Sequence, residues 1–283
     1  MAILKNTLID DTFGINLPST STDERPLNPI ENEIRYNSTL NIVEQYRGIQ
    51  WYYIPDIIRD NLVVHLDAGE PSSYIGAGSA WNDISGNENN FSLFNNPSFE
   101  NGSIQFNGSS QYAKTISLLD LSSSAAVTVE VLAKTIVTTS SSLLWEHTED
   151  WNQNIGGMGQ SAHSDGGQNE INTHHTNHRS FSSRNYKSAV NSEWAMHTNV
   201  FSTTSDNTGR AAYVNGRFVN FSNGNNLSLN SSVFTSADMF LAARGGTQTF
   251  LNGNIAIFRV YNRKLTSAEI LQNFQVNRKR FNI

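Results

Sequence analysis

The chain has 283 residues, of which 37% are hydrophobic, 10% aromatic and only 16% charged, with no cysteine and a formal net charge of −6. The missing cysteines exclude disulfides and thiolate metal sites, and the acidic balance speaks against a general nucleic-acid role, which needs a basic face. No run is apolar enough for a signal peptide or a membrane span, so synthesis in a cytoplasm without membrane insertion is expected.

With few charges, the surface must be built from Asn, Ser, Thr and Gly. These residues favour turns and local backbone hydrogen bonds over helix interiors, so many short strands are expected. Residues 1–29 read as an extended arm: Leu17-Pro18, Arg25-Pro26 and Asn28-Pro29 remove ladder donors and favour extended backbone. Three short runs follow, Glu33 to Tyr36, Ile42 to Tyr46 and Gln50 to Ile54, separated by Asn37-Ser38-Thr39-Leu40-Asn41 and Arg47-Gly48. They predict a small β-meander that, with its linker from Pro55 to Asp60, occupies residues 30–60.

Its apolar set is too small to be stable alone, so it must dock on the main domain or on further copies of itself. In the second case Ile34, Tyr36, Tyr46, Trp51 and Tyr53 would pool into one shared core, with a closed trimer as the expected homo-oligomer.

From residue 61 to 283 the strand signals are denser. Leu62 to Asp67 ends in Ala68-Gly69, a Pro/Gly/Ser loop leads to Trp81-Asn82-Asp83-Ile84-Ser85-Gly86-Asn87, and Ile104-Gln105-Phe106 turns on Asn107-Gly108 and resumes at Tyr112. Val127, Val129, Val131 and Ala133 alternate with Thr128, Glu130 and Leu132, the period of a strand. Asn215-Gly216 between Ala212-Tyr213-Val214 and Phe218-Val219 is the clearest hairpin, because both turn residues tolerate positive φ. Phe240 to Ala243 and Ile255 to Tyr261 supply further strands. Thr266-Ser267-Ala268-Glu269 is a capping box flanked by the staple pair Leu265 and Ile270, so a short helix ends the chain. Asn277-Arg278-Lys279-Arg280 is then a cation cluster at the helix end. The fold class expected is all-β: a sandwich of jelly-roll type with one C-terminal helix.

The order of strand, Trp-containing loop and Asn-Gly turn over residues 61–283 resembles the laminin-G-like, concanavalin A-like jelly rolls found in structural proteins of tailed bacteriophages. Independently, Leu17-Pro18, Arg25-Pro26, Ile34-Arg35-Tyr36-Asn37 and Trp51 resemble a module of phage fibre and decoration proteins. The resemblance implies a non-enzymatic virion structural protein that decorates the capsid or forms a tail appendage. It would be exposed at the virion surface and attached to other virion proteins through its N-terminal region. The alternative is a lectin-like adhesin that recognises host-surface glycans.

Four groups of residues are candidates for chemistry. Trp145, Trp151 and Trp194 would stack on sugar rings if exposed and would otherwise fill the core. Laminin-G-like relatives often hold one calcium ion through an Asp and loop carbonyls, which here points to Asp67 and Asp83 near Glu70; Asp83 equally suits an Asx turn. His174, His175 and His178, with Asp165 or Glu170, could hold a divalent metal on a loop, or form a polar loop without one. Glu146, Glu149 and Asp150 form the only acidic cluster next to aromatics, but they lack the Glu-X-Asp-X-X-Glu pattern of glucanases on this fold, so polysaccharide cleavage ranks last.

Overall fold

The computed structural model describes residues 8–10, 14–39, 42–53, 56–136, 142–148, 157–165, 168–177, 180–190, 192–202, 211–220 and 234–283. The chain divides into two compact units, Met1–Ile57 and Ile58–Ile283.

In the second unit two antiparallel sheets enclose one core. The first runs in the order Ser98–Glu100, Ser103–Asn107, Asn252–Tyr261, Ala126–Thr135, Trp194–Ser202, Ala211–Val214 and Arg217–Val219. Leu62–Asp67 shares an edge of Asn252–Tyr261 with Ser103–Asn107, each lying along one half of that long strand. The second sheet runs Ser180–Val190, Gln168–Asn177, Met158–Asp165, Ser142–His147, Met239–Leu241, Tyr112–Thr115, Phe91–Phe94 and Ala80–Trp81. Neighbours in space are often distant in sequence, which is the signature of a jelly roll.

The alternation in Ala126–Thr135 sends Val127, Val129, Val131 and Ala133 into the core between the sheets, among Trp81, Phe91, Phe106, Trp145, Leu241 and Phe258. The opposite parity is buried too, since Leu132, Met196, Ala256 and Ile257 pack beneath Phe274 and Phe281. These last two belong to the helix α1, Ser267–Phe281. Its start carries the full capping box: Thr266 accepts the Glu269 N–H and the Glu269 carboxylate accepts the Thr266 N–H at 2.7 Å. Arg278, Lys279 and Arg280 sit in its last turn, where cations suit the helix dipole. No described helix is long and apolar enough to cross a membrane.

In the first unit, within the predicted arm, Leu8–Asp10 pairs antiparallel with Gly14–Asn16. The meander is present as Ile34–Asn37, Ile42–Arg47 and Gln50–Tyr53, and Ser19–Thr20 joins it in parallel. What it buries is polar. Arg35, Asn37 and Glu44 are enclosed; Glu44 accepts from Arg25 at 3.1 and 2.7 Å, and Arg35 donates to the carbonyls of Thr20 and Ser21.

The register pairs Tyr36 with Val43, Arg35 with Glu44, and Tyr46 with Trp51. Because neighbours along a strand alternate faces, Tyr46 and Trp51 share the Arg35 face, while Ile34 and Tyr36 lie on the other. Arg35 accordingly stacks 5.6 Å from the Trp51 ring. Of the residues expected to pool into one core, Ile34 and Tyr36 are thus separated from Tyr46 and Trp51, and the side chain of Tyr53 lies outside those described.

Candidate functional site

The outer face of the second sheet carries side chains whose burial and chemistry depart from a plain solvated surface. Lys114 pairs in register with Ser92 on one side and Phe240 on the other, Phe240 pairs with Glu146, and Glu146 with Gly159. These five positions form one line across the sheet. Their strand neighbours Leu93, Ala113, Leu241 and Trp145 point the other way into the core.

Two residues from Lys114, Tyr112 pairs with Phe94, and their rings stack at 4.6 Å with planes only 5° apart. The Phe240 ring lies 6.4 Å from Tyr112, and Phe94 remains 37% exposed. Lys114 Nζ sits 5.5 Å from the Phe240 ring centre and 2.7 Å from Asp238 Oδ2. The result is a partly exposed aromatic pair with a charged pair beside it.

Local turn chemistry holds this pair in place. Asn107 Oδ1 accepts the N–H groups of Ser109, Ser110 and Gln111, which fixes the approach to Tyr112. Gln111 Nε2 donates to the carbonyls of Asn95 and Asn96, just beyond Phe94. Asn95 and Asn96 both adopt positive φ, which Asn tolerates better than most residues.

At the other end of the line Glu146 is 2% exposed and accepts the Gly245 N–H at 2.6 Å through Oε1. Arg244 Nε lies 3.5 Å from Oε2. Burial outweighs these partners and pushes the carboxyl up to about 7.

The residues singled out in the sequence are placed as follows. Trp145 is fully buried; its N–H donates to Gln160 Oε1 at 2.7 Å, and its ring meets Phe201 edge-on and Phe258 at a tilt. Its inward parity closes its faces to a sugar, correcting the stacking reading. Trp194 is partly buried against Phe281 at 4.8 Å, with Lys134 Nζ 5.7 Å from its ring, so it serves the helix interface. Trp151, Glu149, Asp150 and His178 lie outside the described residues.

Asp67 is held by Arg280, with contacts of 2.5 and 2.8 Å, and accepts the Gly69 N–H. Asp83 closes a network with the N–H groups of His65, Ser85 and Asn89 and the Ser85 hydroxyl. Both carboxylates are engaged inside the protein, Asp83 in the Asx-turn manner. His174 and His175 fall on the strand Gln168–Asn177, not on a loop, and pair with Gly159 and Met158. Among the described residues no three His, Asp or Glu side chains come together as a metal site.

Phe94, Tyr112, Lys114 and Phe240 escaped the sequence reading. The available signal was parity: in Phe91-Ser92-Leu93-Phe94 an aromatic stands on both faces of one strand, although one core needs only one.

The laminin-G-type model described as the concanavalin A-like lectin/glucanases superfamily matches residues 107–271, more than half of the chain. No curated protein sequence matches. Among solved structures, the binding domain of botulinum neurotoxin serotype D is similar at 12% identity and a TM-score of 0.58, over 77% of this chain and 52% of that one. A structure of botulinum neurotoxin type C, whose cell entry depends on interaction with two ganglioside molecules, is similar at 11% and 0.57, over 77% and 51%. The Trypanosoma rangeli sialidase aligns at 15% and 0.50, over 75% of this chain and 32% of that one. The chain thus spans about half the length of the neurotoxin domains, and at these identities the likeness shows a common fold.

Proposed function

The chain belongs to the concanavalin A-like lectin/glucanases superfamily, and on that premise we propose that it is a non-catalytic protein that binds carbohydrate on the outer face of its second sheet. The observation that carries this reading is the stacked Phe94–Tyr112 pair, half open to solvent beside Lys114 and Asp238. An aromatic ring supplies apolar area for a sugar face, and flanking charged groups supply directional hydrogen bonds to hydroxyls. Glu146 supports the non-catalytic part of the reading, because its carboxyl is covered by the Gly245 turn and is not presented to solvent. The neurotoxin neighbours are mainly binding domains, which agrees by analogy.

A glycan array at low and high calcium tests the reading. Binding to at least one glycan class is expected, and Phe94→Ala should weaken it about tenfold with unfolding little changed. No binding at either calcium level overturns it.

The setting we propose is the surface of a tailed-phage virion, as a capsid decoration or tail appendage that presents this face outward. It is supported by the resemblance of the Leu17 to Trp51 segment and by the separation of Met1–Ile57 from the sandwich as its own unit. Attachment through this unit, to other virion proteins or as a trimer, uses the face that carries the 39%-exposed Ile34. Mass spectrometry of purified particles should find the protein, and its absence overturns the setting. Sedimentation should give a trimer that Ile34→Glu dissociates; a monomeric wild type leaves only attachment to other proteins.

A further inference from the structure

Glu146 is buried beside the aromatic face without belonging to it, and one turn connects the two. Arg244 to Gln248 reverses direction through Gly245 and Gly246, at φ +54° and +70°. The turn is closed by the Arg244 N–H donating to the Gln248 carbonyl at 2.8 Å and the Thr247 N–H donating to the Arg244 carbonyl at 3.0 Å. On one flank it is tied to the sheet through the Gly245 N–H and Arg244 Nε, both directed at the Glu146 carboxyl. On the other flank Gly246 lies against Tyr112, so closely that a Cβ on it would stand 2.7 Å from ring Cζ. Any movement of this turn relative to Glu146 is therefore felt by the ring that stacks on Phe94.

We propose that Glu146 is a proton-operated latch on the turn Arg244–Gln248, which sets the position of Tyr112 and so the fit of the aromatic face for its ligand. The ionised carboxylate accepts a charge-assisted bond from Gly245 and attracts Arg244, and such bonds are roughly twice as strong as neutral ones. Protonation removes the charge, weakens both ties and frees the turn. The groups facing Glu146 from its surroundings are Arg244 on the turn, and Lys114 with Asp238 beyond Phe240. Gly159 is its other strand neighbour, with His174 at the next register position. On its own strand His147 lies on the opposite parity, its Nε2 at 2.8 Å from the Leu119 carbonyl. Burial sets the titration of Glu146 near neutrality, where a modest change of pH switches it. Only the consequence for a ligand rests on the carbohydrate reading; the latch itself does not.

The test is a pH titration of the full chain followed by amide and aromatic NMR, from about pH 5 to about pH 9. The Gly245 and Gly246 amides and the Tyr112 ring should move together with a midpoint near 7, and Glu146→Gln should abolish the movement. Arg244→Gln should raise the midpoint, because a cation that favours the ionised form is gone; this keeps the test decisive if Glu146→Gln fails to fold. Static signals in the wild type, or an unchanged titration in either folded variant, overturn the latch. With a glycan bound on the array, affinity should change about fivefold or more across the same midpoint. A pH-independent affinity overturns the coupling to the face. A normal titration in a chain that binds no glycan supports the latch and overturns the carbohydrate reading.

Discussion

The side-chain amide of Asn273 on α1 donates to Glu130 Oε2 and to the Tyr261 hydroxyl, both at 3.0 Å, while its carbonyl accepts the Ile58 N–H at 2.8 Å. Tyr261 in turn donates to the Ile58 carbonyl at 3.0 Å. One asparagine thus closes a polar layer between helix and sheet in which Glu130 and Arg259 are completely buried, 3.2 Å apart. Burial pushes the Glu130 carboxyl up, and Arg259, Asn273 and Thr198 oppose it. Hydrophobic contact alone would let the helix slide; these bonds fix where it docks.

Replacing Asn273 with Leu keeps the volume and removes three partners. Glu130 and the Ile58 N–H are then left short of bonds inside the protein, which costs about 2–3 kcal/mol. Thermal unfolding should show the loss, and an unchanged midpoint would mean that the layer does not hold the helix.

The helix cap makes a second, pH-dependent contribution. Arg263 donates to both Glu269 oxygens at 3.0 and 2.7 Å and, with Thr266, holds the carboxyl down to about 2 from its ordinary 4.5. A carboxyl depressed in the folded state stabilises above its unfolded pKa, and this contribution fades as pH falls from about 4.5 towards about 2. Thr266→Ala should cost about 1 kcal/mol at neutral pH. Glu269→Gln should flatten the dependence of stability on pH in that acid window, as read by urea unfolding at several pH values.

What was legible in the sequence were features whose cause is local. The capping box at Thr266, the Asn215-Gly216 hairpin and the alternation from Val127 to Ala133 each depend on residues close together, and each is present. The sites were not legible, because they are created by register. Nothing near Trp145 says that it pairs with Leu241, almost a hundred residues away, and so faces inward. Nothing near Tyr112 says that Phe94 lies opposite and Gly246 above it. The polar run around His174 looked like a loop because its Asn and Gly residues favour turns over strands, yet long antiparallel neighbours on both sides supply its hydrogen bonds.

Buried titratable groups in the sandwich pull stability in opposite directions. His65 and His197 are driven down to about 3 and about 4, in both cases chiefly by burial. Their contribution is complete above the ordinary 6.5 and is lost as pH falls towards those values, since the unfolded chain takes up the proton first. Glu146, raised to about 7, stabilises below its ordinary 4.5 and loses that contribution as pH rises through 7. Glu146→Gln should therefore gain stability relative to wild type as pH is raised from about 5 to about 8, while His197→Gln should unfold less steeply in acid. Parallel stability curves for either variant and wild type would refute the assigned shift.

Two glycines test whether the fold and the site can be separated. Gly253 sits at φ +155° opposite Thr135, and a Cβ there would stand 2.2 Å from the Lys134 carbonyl oxygen. That oxygen is backbone within a central pair of strands and cannot move aside. Gly253→Ala should cost about 3 kcal/mol or more and lower the yield of folded protein. Gly246 meets only the far end of the Tyr112 side chain, so Gly246→Ala should cost about 1–2 kcal/mol for its left-handed backbone and leave the sandwich intact. Its main effect should fall on the ring, which is displaced from its stack on Phe94. Unfolding curves and the Tyr112 ring signals measured on both variants separate the two effects. A Gly246→Ala protein whose Tyr112 signals match wild type would show that the turn does not set the position of the ring.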